Sequence, residues 1–234
     1  LGSAGFSMPT FTNILPEETL YQLPLNSVTM NLPFYTMDLD LTIKKREFKV
    51  YTGMDDFAGP DIIPYKNGTF IIAVQGKSVK EPNYHISFKQ YTTDFELLKE
   101  TIIPTNGASK FVVTDNNSIM IASSITTDNS KPLHLRKIDE NGKELWQKVV
   151  DGLKDIPLKV NGLYTTRDGG FVVAGETWPR KSDGSINYDS PGRMGFITKV
   201  SSDGELQWYY TSGREGLWNR IFCVAETSNG DFIT

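Results

Sequence analysis

Asp168-Gly169-Gly170-Phe171-Val172-Val173-Ala174-Gly175 joins a turn dipeptide to a short apolar run, and this combination returns along the chain. Its echoes are Asn67-Gly68-Thr69-Phe70-Ile71-Ile72-Ala73-Val74 and Asn116-Asn117-Ser118-Ile119-Met120-Ile121-Ala122-Ser123. A fourth copy begins at Asn229-Gly230-Asp231-Phe232-Ile233. The first apolar residues of the copies, at 70, 119, 171 and 232, stand 49, 52 and 61 residues apart. A recurrence of this length is the mark of stacked repeat units.

A second element recurs in the same phase. Lys137-Ile138-Asp139-Glu140-Asn141-Gly142-Lys143-Glu144-Leu145-Trp146 matches Lys199-Val200-Ser201-Ser202-Asp203-Gly204-Glu205-Leu206-Gln207-Trp208, and Gln90 to Leu98 is a worn version without the glycine. Asn-Gly and Asp-Gly between apolar runs signal hairpins, with a type I′ turn as the expected geometry because both central residues then take positive φ. The third copy therefore predicts strands near 160–166, 171–177, 195–200 and 205–210, with turns at Asp168-Gly169 and Asp203-Gly204. That is a four-stranded antiparallel meander of propeller-blade length. No window sustains a 3.6-residue period, and the runs are rich in Val, Ile, Phe, Tyr and Thr, so strand prevails over helix.

Gly170 to Gly175 after Asp168-Gly169, followed by Lys199-Val200 and Asp203-Gly204-Glu205-Leu206-Gln207-Trp208, resembles the bacterial and archaeal β-propeller repeats of secreted and surface proteins, over residues 61–234. The resemblance implies a propeller fold and a cell-surface or extracellular setting, in a group whose members mostly lack an assigned chemistry. The expected class is all-β: a β-propeller-like array of four-stranded antiparallel blades. The copies fall at 61–105, 109–152 and 156–213, with a partial one at 216–234. Three and a half copies do not close a ring of about 4 to 8 blades, so the array is expected to be incomplete and the chain to be a fragment.

Residues 1–60 lack the repeat and form a β-rich or extended segment of their own. They alternate Pro9, Pro16, Pro24 and Pro33 with strand-like runs, Met37 to Ile43 and Glu47 to Tyr51, and could supply blade strands or a docking segment. Lys44-Lys45-Arg46 reads as a solvated turn. Leu1 to Ser7 lacks the basic and long apolar regions of an intact signal peptide.

Composition narrows the function classes. The chain has 234 residues and can bury one large core or two modest ones. Its 24 Lys+Arg against 28 Asp+Glu give a net charge of −4, which offers no field for a phosphate backbone, so nucleic acid is not an expected partner. One cysteine, Cys223, allows no internal disulfide and no cysteine-based zinc site, and it reads as a small buried hydrophobe. Apolar runs such as Phe171 to Ala174 are far short of the roughly 20 residues of a transmembrane helix.

Ser201 to Trp208 approaches the Asp-box of sialidase-type propellers. However, glycine directly follows aspartate and Gln207 replaces threonine, so a hairpin turn accounts for it, with Trp146 and Trp208 packed as equivalent buried residues between blades. The segment from Trp178 to Arg193 lengthens the third copy and mixes aromatics with arginines. Trp178, Arg180, Tyr188 and Arg193 are the candidate binding residues, since loops on rigid scaffolds carry function. Asp183, Ser185, Asn187 and Asp189 alternate like the oxygen ligands of a calcium loop, although Tyr188 stands where the turn needs glycine and Met194 where the bidentate glutamate belongs. No metal or cofactor is expected on that basis. Nucleophile motifs are absent, and His85 and His134 lie in expected strands as structural residues.

The expected function is a non-enzymatic surface module that binds a protein or glycan partner. It would serve as an accessory lipoprotein of a bacterial outer-membrane uptake or secretion assembly, at the extracellular or outer-membrane surface. The alternative is a glycan hydrolase or lyase using carboxylates such as Glu176 or Asp183 on blade loops.

Overall fold

Phe70, Ile119, Phe171 and Phe232, the four residues that mark the repeat, each begin a strand. The computed structural model describes residues 28–37, 43–78, 84–105, 107, 109–124, 132–214 and 216–234. The first sheet holds β1 (Val28–Met37), β2 (Ile43–Pro64), β3 (Phe70–Ser78), β4 (Tyr84–Tyr91) and β5 (Leu97–Thr105) in sequential order. The second holds β6 (Ser109–Val113), β7 (Ile119–Ser124), β8 (Leu133–Ile138) and β9 (Glu144–Val149). The third holds β10 (Leu158–Thr165), β11 (Phe171–Thr177), β12 (Met194–Val200) and β13 (Leu206–Ser212), and a hairpin of β14 (Ala225–Glu226) and β15 (Phe232–Ile233) follows. The protein is thus all-β, built of consecutive antiparallel meanders. Among the described residues, no helix is long and apolar enough to cross a membrane.

The hairpins use a different turn from the expected one. Between β10 and β11, the N–H of Thr166 donates to the Gly170 carbonyl at 3.0 Å and that of Gly169 to the Thr166 carbonyl at 2.9 Å. Gly169 is left-handed at φ +78, whereas Asp168 is not. This is a type I turn closed by one left-handed residue, a three-residue loop. The same pair of backbone bonds closes Thr92 to Glu96, Thr114 to Ser118, Asp139 to Lys143, Ser201 to Glu205 and Thr227 to Asp231. Side chains select it. Asp168 Oδ1 accepts from the Thr166 hydroxyl and from the Gly170 N–H, which pins the first half of the turn in a right-handed conformation. In the β8–β9 turn, Asp139 Oδ1 accepts from the N–H groups of Asn141 and Lys143, and Ser201 Oγ accepts from Asp203 and Glu205 in the β12–β13 turn. Among the described residues, only Asn67 and Gly68 are adjacent and both left-handed, as type I′ requires.

The meanders stack face to face, which explains why the central strands read as continuous apolar runs rather than as alternation. On β11, Phe171 and Val173 pack with Met120, Ala122 and Leu135 of the second sheet, while Val172 and Ala174 point the other way, toward Val224, Ile221 and Phe232. On β7, Met120 and Ala122 face the third sheet, and Ile119 and Ile121 face Ile71, Phe88 and Ile103 of the first. Each such side chain taken wholly from water contributes about 1.5–3 kcal/mol. Gly175 closes the motif because a Cβ there would overlap the Lys159 carbonyl of β10.

Trp146 and Trp208 occupy equivalent register positions, opposite Lys137 and Lys199, each beyond a local irregularity in the pairing. Both reach the next repeat. Trp146 lies against Gly204, at the β12–β13 turn, and Trp208 meets Phe232 at 5.5 Å between ring centroids. They are half-buried rather than buried, because each lies across an outer strand instead of inside the stack. In the first sheet Lys99 takes this position, opposite Gln90, and its ammonium donates to Asn141 Oδ1 and the Glu140 carbonyl in the next turn.

Three local expectations are corrected. Lys44-Lys45-Arg46 lies within β2, paired with β1 through Thr36 and Tyr35, and not in a turn. Met37 ends β1 and Ile43 begins β2 as its antiparallel partner, so the two do not lie on one strand. Cys223 is exposed: β14 begins only at Ala225, and in the irregular segment before it Val224 takes the buried position. Strand β2 runs across residue 60, which joins the N-terminal hairpin to the first sheet without a break.

Candidate functional site

The segment 178–193 leaves the third sheet at Thr177 and returns at Met194. Its tip is one more copy of the hairpin turn. Lys181 N–H donates to the Ser185 carbonyl and Gly184 N–H to the Lys181 carbonyl, with Gly184 at φ +85. Asp183 Oδ1 accepts from the backbone and hydroxyl of Ser185 at 2.9 and 2.6 Å, and these bonds hold its carboxyl below the usual carboxylate range. Asp183 therefore caps its own turn. Among the described residues, no three or more His, Cys, Asp or Glu side chains gather as a metal site.

The base of this loop is clamped by a second one. Arg193 N–H donates to the Leu217 carbonyl at 2.9 Å, and Asn219 N–H returns to the Arg193 carbonyl at 3.0 Å. The Asn219 side-chain amide donates to the carbonyls of Arg193, Arg214 and Leu217. Gly192 is required where the loops touch, since a Cβ there would lie about 2.5 Å from the Leu217 backbone.

This clamp assembles a stack of rings and cations. The Arg193 guanidinium lies over the Trp178 ring at 4.2 Å from its centroid and over the Trp218 ring at 5.0 Å, and Arg220 lies over Trp218 at 4.5 Å. Tyr188 packs on Trp178 at 5.8 Å. Beneath the stack, Glu176 on β11 is only 3% exposed. Its carboxylate oxygens lie 2.5 Å from Arg220 Nε and 3.2 Å from Lys159 Nζ. Trp218 itself is 58% exposed, so the stack ends at the surface.

Trp178, Tyr188 and Arg193 thus meet, whereas Arg180 turns back and donates to the Gly184 carbonyl of its own loop. Trp218, Arg220 and Lys159 were not singled out from the sequence, and Glu176 was considered only as a catalytic carboxylate. The available signal was Leu217-Trp218-Asn219-Arg220, a second aromatic and arginine pairing outside the strands.

The histidines lie elsewhere. His134 on β8 is half-buried, and desolvation, with the charge of Arg136, pushes its imidazole below the ordinary histidine value. On β13, where Tyr209 packs on Phe196, burial pushes its phenol up to about 12. A separate open recess of about 180 Å³ lies among Val112, Tyr164, Val172, Val224, Glu226 and Phe232.

No protein-family model matches this sequence, and no curated protein matches it.

Proposed function

We propose that this chain is a non-enzymatic binding module of the bacterial surface β-propeller kind, displayed at the extracellular or outer-membrane face as an accessory part of an uptake or secretion assembly. One observation supports the binding reading above the rest: the stack of half-buried Trp178 and Arg193 with exposed Trp218 and Arg220, on a rim held by two interlocked loops. Rigid aromatic and arginine anchors are the residue types that dominate contact surfaces. The carboxylates considered for glycan hydrolysis are already engaged, Glu176 by Arg220 and Lys159, and Asp183 by Ser185. The rival reading of a hydrolase or lyase draws no support from them.

The test is partner retention. The immobilised full chain is expected to retain a partner from surface extracts of its host cell, and Trp178→Ala/Tyr188→Ala/Arg193→Ala to release it while far-ultraviolet circular dichroism shows the strands still folded. Equal retention by the triple variant would sink this reading.

A further inference from the structure

Resting on the reading of the rim as a contact surface, the geometry points to the chemistry of what it takes: we propose that the rim formed by Arg193, Trp218 and Arg220 binds an extended acidic peptide segment of a partner protein. Its carboxylates would pair with the two guanidinium groups, and its apolar side chains would rest against Leu217 and the edge of Trp218.

The first argument concerns the ring faces. A sugar binds tryptophan by laying its C–H face on the indole, but here guanidinium groups lie over the rings of both Trp178 and Trp218. The rings serve to hold cations, and the donor edges of the cations are what the rim offers. A stacked, planar guanidinium loses little further freedom when it binds a carboxylate in a forked manner.

The second argument concerns charge. Glu176 offsets one of the three positive groups formed by Lys159, Arg193 and Arg220, so the cluster carries a surplus of two positive charges in a chain whose net charge is −4. Each guanidinium has five N–H donors. Among the described residues, the hydrogen bonds and ion pairs use Nη1 of Arg193, on the carbonyls of Ser190 and Gly192, and Nε of Arg220, on Glu176.

The third argument separates a peptide from a uronate polymer, which shares the carboxylate chemistry. Leu217 is 56% exposed next to Trp218, so apolar surface flanks the cations, and a peptide can match both with alternating side chains.

The experiment titrates the full chain with a capped eight-residue peptide of alternating glutamate and leucine, following tryptophan fluorescence and heat. The comparison ligands are the glutamine counterpart of that peptide and oligogalacturonate. Saturable binding of the glutamate peptide is expected, weaker by about tenfold or more for the glutamine peptide, for Arg193→Gln and for Trp218→Ala, and weakened by salt. Both variants should unfold at nearly the wild-type temperature, and a variant that does not is replaced by Arg193→Lys, which keeps the charge and removes the fork. Equal affinity for the glutamine peptide, or affinity unchanged by these substitutions, overturns the proposal. Binding of oligogalacturonate alone overturns the peptide assignment while leaving the contact surface standing. If partner retention depends on the rim but none of these ligands binds, the acidic ligand is wrong and the surface is not. If retention is also independent of the rim, both readings fall.

Discussion

Lys199 and Asp168 form an ion pair that is half inside the protein. The lysine side chain is 5% exposed and its ammonium sits 2.9 Å from both carboxylate oxygens, while Asp168 faces water at the turn between β10 and β11. The pair ties β12 to that turn. A buried ammonium without its counter-charge is costly, yet the exposed half of the pair is screened, so Asp168→Asn is expected to cost about 1–2 kcal/mol at neutral pH.

The pH dependence of that cost has a definite sign. The Thr166 hydroxyl, the Lys199 ammonium and the Gly170 N–H hold the Asp168 carboxyl well below the usual carboxylate range. A folded value below the unfolded one, about 3.9, means the stabilisation is present in full above about pH 5 and lost as pH falls through the folded value. Urea unfolding of wild type and Asp168→Asn should differ by a constant amount from about pH 8 to 5, and the gap should begin to narrow below about pH 4 and still be closing below about pH 3, because the folded value is so depressed. A gap that stays constant at low pH would show that the carboxylate is not the group involved.

Glycines at equivalent turns should differ in their tolerance of alanine. Gly169 and Gly204 are both left-handed at φ +78. A Cβ at Gly169 meets nothing within 4 Å, so Gly169→Ala carries only the conformational cost of about 1–2 kcal/mol. At Gly204 a Cβ would stand 3.1 Å from the Trp146 ring and 3.3 Å from Leu135, so Gly204→Ala should cost more. Chemical denaturation of the two variants compares them directly, and equal losses would mean that Trp146 does not press on the turn.

Removing Trp208 should loosen one end of the molecule selectively. Its ring packs on Phe232 of the terminal hairpin, with Tyr210 alongside at 5.6 Å. For this half-buried ring, Trp208→Ala is expected to cost about 2–3 kcal/mol, less than a fully buried aromatic. Hydrogen exchange should quicken over 221–234 and stay unchanged in β3 and β7. Uniform quickening would argue that the sheets unfold as one unit.

Gly175→Ala should be the most damaging of these substitutions. The added methyl would collide with the Lys159 carbonyl and crowd the Phe196 ring 2.7 Å away, and neither β10 nor the core has room to yield. Overpacking of this kind costs about 1–3 kcal/mol or more. A variant of wild-type stability, judged by its thermal midpoint, would show that β10 can shift at its irregularity between Val160 and Gly162.

Strands and turns were legible in the sequence because their causes are local. Thr166, Asp168 and Gly169 build their turn from contacts within five residues, and the apolar run from Phe171 to Ala174 announces a strand buried on both faces. The turn class was not legible: Asp-Gly serves type I′ and the three-residue loop alike, and the side-chain bond to Thr166 decides between them. The rim depended on tertiary structure altogether. Lys159, Glu176, Arg193, Trp218 and Arg220 are spread over 62 positions of chain and share no periodicity. They meet only because β10 and β11 lie side by side and Asn219 fastens one loop to another. The exposure of Cys223 has the same origin, since Ile221 to Val224 looks like a strand but follows an irregular path in which Ile221 bonds to Gly175 and Phe222 accepts from Tyr164. Local hydrogen bonds and apolar patterning act over a few residues and can be read in one dimension. The meeting of distant side chains is set by how the sheets stack.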